Sequence, residues 1–134
     1  MKTYHKWLLS AATGFLLYSG WSTWLPFPLM LVALVPLLFV EELISKTVDK
    51  RSFYAVFSYA WFGFIFWNML SIWWGSIATV SALAVPFING AFLAFIFACY
   101  HLVKKRLGVS YGRMFLLVAW LAFEYVHHFW EWQF

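Results

Sequence analysis

The sequence predicts an all-α, polytopic membrane protein of about five helices. Composition, the length of the uncharged runs and the placement of the cations lead there. Of 134 residues, 65% are hydrophobic, 25% aromatic and 10% charged, against roughly 45–50% apolar and about 25% charged in an average soluble domain. That balance excludes an ordinary water-soluble fold. Five crossings of a hydrocarbon core about 30 Å thick, at about 20 helical residues each, use on the order of 100 residues, which leaves too little for a soluble domain. The net charge of +4 comes from few charges and gives no support for nucleic-acid binding. The single cysteine, Cys99, excludes a disulfide framework within the chain.

Between Trp7 and Val103 only the block Glu41 to Arg51 carries Lys, Arg, Asp or Glu. The uncharged run Trp7 to Val40 has 34 residues, about 51 Å as one helix, so it must turn back. Gly20, Pro26 and Pro28 supply the turn, and Trp21 and Trp24 suit an interface. The run Ser52 to Val103, of 52 residues, holds two spans joined near Trp73, Trp74, Gly75 and Ser76. A fifth begins after Arg113. The expected spans are 7–22, 27–43, 53–74, 77–103 and 114–130, one transmembrane domain over 1–134. Pro36 is expected to kink the second span, and Pro86, Asn89 and Gly90 to bend or unwind the fourth.

With five spans, Lys2, Lys6, Lys46, Lys50, Arg51, Lys104, Lys105, Arg106 and Arg113 all fall on one side. Because Lys and Arg resist translocation, that side is cytoplasmic. The N-terminus is then inside and Phe134 outside, with Trp21, Trp24, Trp73, Trp74, Trp130 and Trp132 near the outer boundary. A signal peptide over Lys2, Lys6 and the first apolar segment is the competing account, but Tyr18, Ser19 and Gly20 make a poor small-x-small cleavage site.

An ionisable residue inside a membrane is a functional hypothesis with a partner to be named. Glu124, His127, His128 and Glu131 are spaced i, i+3, i+4, i+7 and share one helical face. The stripe could hold a polar headgroup or a proton-bearing group at the outer leaflet; equally, Glu124 could bond His127, His128 or a neighbouring span and merely order the bundle. Metal is not predicted. Glu124-x-x-His127 is half of a carboxylate di-iron signature without its second copy. His101 and His127 lie too far apart across the membrane to share a haem iron, and His5 and His101, near basic residues, are expected on a solvated face. Cys99 lacks a base within reach together with an oxyanion donor, and Ser58, Ser71, Ser81 and Thr79 suit helix contacts. No cofactor is expected.

In their order, SGWSTWLPFP, then ALVPLL at Ala33 to Leu38, then a basic loop leading into YAWFGFIFWNMLSIWW at Tyr59 to Trp74, then WLAFEYVHHFWEW at Trp120 to Trp132, resemble the N-terminal membrane region of bacterial apolipoprotein N-acyltransferase. In that family the last span carries a Trp, then a Glu, and usually an Arg soon after. Trp120 and Glu124 match, while His127 or His128 stands where the Arg is common. The resemblance implies a bacterial inner-membrane protein of lipoprotein maturation, moving an acyl chain from a phospholipid to a lipoprotein's N-terminal cysteine. The implied catalytic Glu, Lys and Cys belong to a nitrilase-like domain outside the membrane, which this chain lacks, so Cys99 is not the implied nucleophile. The implied role is to anchor and present lipid, with Trp120, Glu124, His127 and His128 as candidate lipid- or substrate-binding residues. The implied partners are phospholipid, a lipoprotein substrate and the catalytic domain, in the same or a separate chain. Two other readings stand beside it: a small carrier or channel with Glu124 as coupling carboxylate, and a structural subunit of another membrane protein.

Overall fold

The computed structural model describes residues 1–47 and 49–129, and every regular element among them is helical. Trp130, Glu131 and Trp132 lie outside the described residues. Helix α1 is Thr3–Ser19. A 3-10 helix, Phe27–Val32, leads into α2, Val35–Ser45, with Pro36 in its first turn. There the missing N–H of proline breaks no helical bond, so Pro36 marks the passage from 3-10 to α geometry. Helix α3 is Ser52–Ile72 and the short α4 is Gly75–Ala78. A second 3-10 helix, Val80–Ala84, precedes α5, Val85–Leu107, and α6 is Val109–His128.

The bend expected at Pro86, Asn89 and Gly90 takes a different form. Pro86 sits in the first turn of α5, and the helix runs unbroken through Asn89 and Gly90. Asn89 turns its amide on α3 instead, where Nδ2 donates to Asn68 Oδ1 at 2.7 Å. The irregular backbone lies upstream, in the 3-10 segment.

Helix α3 is the centre. It is apolar on every side because α1 covers one flank and α5 another, and Val56, Ala60 and Phe64 are shut off between them. Against α1 the approach is close: a Cβ on Gly63 would lie 2.7 Å from the Ser10 carbonyl oxygen. With little hydrophobic force between helices in lipid, such small-residue contacts supply van der Waals packing. Helix α5 runs antiparallel to α3, pairing Ser52 with His101 at one end and Asn68 with Asn89 towards the other. Gly108, at φ 104°, reverses the chain between α5 and α6, a backbone region open to glycine at little cost. Helix α2 lies over α1 and α3, and Ala33, Leu37, Val40 and Ile44 complete the core.

Four segments are long and apolar enough to cross a membrane: Phe27–Ser45, Ser52–Ile72, Val80–Leu107 and Val109–His128. Helix α1, at 17 residues, rises about 25 Å. Large apolar side chains cover the outside, Leu31, Ile77 and Val80 among them, as a lipid-facing surface requires. Trp21, Trp24, Trp73 and Trp74 are all exposed on the α1–α2 and α3–α5 connections, away from the end that carries Lys50, Arg51 and Lys104 to Arg106.

Candidate functional site

The structure gathers polar side chains in two places. The first is a buried cluster where α2, α3 and α5 meet at the basic end. Glu41 lies on the inward face of α2, one position after Val40 and four after Leu37, and is 1% exposed. His101 lies on the inward face of α5, four residues after Phe97, and is 0% exposed. This corrects its expected place on a solvated face: Lys105 and Arg106 are exposed, while His101 stays on the packed side with Lys104.

His101 Nδ1 is 2.6 Å from Glu41 Oε1, and His101 Nε2 is 3.1 Å from Ser52 Oγ. Lys105 Nζ is 3.3 Å from the same hydroxyl. Lys104 Nζ donates to Glu41 Oε2 at 2.7 Å and also to Glu42 Oε2. The bonds are mutually consistent when the ring proton is on Nδ1. Nδ1–H then donates to Glu41, the Ser52 hydroxyl donates to Nε2, and Lys105 donates to the Ser52 oxygen. Both carboxylates are thus paired, Glu41 with Lys104 and Glu42 with Lys104 and Lys46.

Hydroxyl, imidazole and carboxylate in that order are the parts of a nucleophilic triad, but Ser52 is only 5% exposed. What the arrangement does visibly is tie α2, α3 and α5 together while satisfying charges that would be costly alone. Sequence reasoning missed this cluster, although a signal existed. Glu41 continues the buried series Ala33, Leu37, Val40, and His101 continues Gly90, Leu93, Ala94, Phe97, Ala98.

The second place is the far part of α6. Trp120 packs its ring on Phe64 of α3, with centroids 5.7 Å apart, and its Nε1–H donates to Glu124 Oε1 at 2.8 Å. Glu124 is exposed, so its described partner is the indole one turn back on its own helix. His127 stacks on Phe123, whose ring faces Phe92 of α5, and His128 meets Phe129 edge-on. Of the four expected site residues, the structure thus joins Trp120 to Glu124 directly and holds His127 beside the α5 contact. Glu131, the last member of the stripe, is outside the described residues.

An apolar groove of about 570 Å³ lies between α3 and α5, lined by Phe57, Trp61, Phe87, Ile88, Ala91, Phe92 and Phe95. Glu124 is not part of its wall. Among the described residues no group of three or more His, Cys, Asp or Glu side chains could hold a metal ion.

In comparisons with known proteins the chain matches no family model, no curated protein and no solved structure.

Proposed function

We propose that this chain is the N-terminal membrane region of a protein similar to apolipoprotein N-acyltransferase. It anchors and presents lipid for N-acyl transfer to lipoproteins and is not catalytic alone. In this reading α1 to α3, α5 and α6 cross the bacterial cytoplasmic membrane, with the N-terminus inside and the end of α6 outside.

The observation that carries the reading is the Trp120–Glu124 pair. These residues occupy the positions of the family's Trp and Glu, and one of them anchors the other. Trp120 is seated on the core through Phe64, which fixes the indole N–H and so the carboxylate that accepts from it. Glu124 lies about 16 Å along α6 from Arg113, towards the end remote from the cations, and faces out of the bundle. There it can meet a headgroup or an extracytoplasmic domain. The common end shared by the starts of α1 and α3, where Trp7 lies 4.5 Å from Tyr59, supports α1 as a crossing helix. It allows Lys2 and Lys6 to join the other cations on one side.

Repressing the gene in its own cells tests the function. Mass spectrometry of lipoprotein N-termini should show N-acylated species giving way to species with a free α-amine, and re-expression of wild type should reverse this. Unchanged N-terminal acylation after the protein has disappeared from the membrane would rule the reading out.

A further inference from the structure

At the basic end a crevice of about 420 Å³ opens between α2 and α6, with α5 as its floor. Leu34 and Leu38 form one wall and Leu116 and Leu117 the other; Glu42, Lys104 and Arg113 stand at the mouth. Leu34 and Glu42 are two helical turns apart, so the apolar slot is about 12 Å long. The volume falls in the range of sites for small ligands, about 300–1,000 Å³.

The charges at the mouth are not equivalent. Lys104 is held by Glu41 and Glu42, and Lys46 lies 3.9 Å from the other oxygen of Glu42. Arg113 is left over, since among the described residues no carboxylate lies within ion-pair distance of it. An uncompensated guanidinium over an apolar slot between membrane helices fits an anionic phosphate followed by a hydrocarbon chain. Its planar fork can give two hydrogen bonds to one phosphate, and basic pockets between membrane helices recur as headgroup sites.

We propose that this crevice binds one membrane phospholipid, its phosphate on Arg113 and one acyl chain between α2 and α6. The site is at the opposite end of α6 from Glu124. It rests only on the chain lying in a bilayer, so its failure and that of the acyl-transfer reading are separate outcomes.

The test is native mass spectrometry of the full chain in detergent, titrated with phosphatidylglycerol and with diacylglycerol bearing the same chains. A one-to-one adduct is expected with phosphatidylglycerol and not with diacylglycerol. Arg113→Gln, at an exposed position, should weaken it about tenfold, the worth of a charge-assisted contact. Leu38→Trp should do the same by filling the slot with Arg113 intact. Lys50→Gln, outside the crevice, should bind as wild type. Unfolding midpoints of the variants establish that each remains folded. Equal binding of the two lipids, wild-type binding by either crevice variant, or displacement of the lipid by millimolar inorganic phosphate would overturn the proposal; the last would mark a site for free phosphate.

Discussion

His101 of α5 and Glu41 of α2 meet at 2.6 Å with almost no solvent access to either, and that contact fixes the register of α2 on α5. Removing one member of a buried ionic network strands the other. His101→Leu should therefore destabilise the protein by about 3–5 kcal/mol, read as a lowered unfolding midpoint in mixed micelles. Glu41→Gln should also destabilise, because Lys104 would keep only Glu42. The two losses should be non-additive, by on the order of 0.5–3 kcal/mol in a double-mutant cycle. Strict additivity would mean that the pair is not coupled.

At the crossing of α1 and α3 the smallness of one residue decides the packing. A Cβ at Gly63 would stand 2.7 Å from the Ser10 carbonyl oxygen, a backbone atom that cannot swing aside. Gly63→Ala should cost about 1–3 kcal/mol, as overpacking does, despite the better helix propensity of alanine. A cysteine pair at Ser10 and Gly63 is a poor probe because it alters the contact itself. Spin labels at exposed Leu8 and Phe62 should instead report a wider α1–α3 separation in the alanine variant, and an unchanged distance with unchanged stability would contradict the argument.

The helical class was legible in the uncharged runs, because residues such as Trp7 to Val40 leave no other way to satisfy backbone N–H groups in lipid. The turns were legible too, since Gly20 and Pro26 cannot continue a helix without cost. The cluster at the basic end was harder to see. Glu41 and His101 are 60 positions apart in the chain, and each sits beside charged residues that do face outward. Local charge density pointed to a solvated boundary, whereas the helical phase of Leu37 with Glu41 and of Phe97 with His101 pointed inward. Phase was the better guide here because a packed face continues past the last apolar residue when a polar one finds a partner. At the other site the spacing of Glu124, His127 and His128 gave a common face, but it could not reveal that Trp120 holds the carboxylate. That bond depends on the indole being anchored by Phe64 of another helix.

The Trp120–Glu124 bond separates two ways of losing the Glu124 carboxylate. Trp120→Phe keeps the ring stacked near Phe64 and removes only the donor, whereas Glu124→Gln removes the charge and keeps an acceptor oxygen. If the charge serves acyl transfer, Glu124→Gln should fail to restore N-acylated lipoprotein in repressed cells while accumulating to wild-type levels. Trp120→Phe should restore part of it, by leaving the carboxylate present but less well placed. Full restoration by Glu124→Gln would leave the bond with a structural role only.

One physical rule applied to nine cations predicts the direction of the chain across the membrane. Lys and Arg in short connections stay on the cytoplasmic side. The contacts of Lys104 with Glu41 and Glu42, of Lys105 with Ser52, and of Trp7 with Tyr59 bring most of the elements bearing those cations to one end of the bundle. Single cysteines at Lys50 and Lys105, in a Cys99→Ala background, should be blocked by a membrane-permeant maleimide and spared by an impermeant one added to intact spheroplasts. Cysteines at Trp24 and Trp73, on the two tryptophan-bearing connections, should be blocked by both reagents. Protection at Trp24 together with labelling at Lys50 would invert the orientation. Protection of Trp24 with Lys50 also protected would place both ends of the Phe27–Ser45 segment on one side and mean that this segment does not cross.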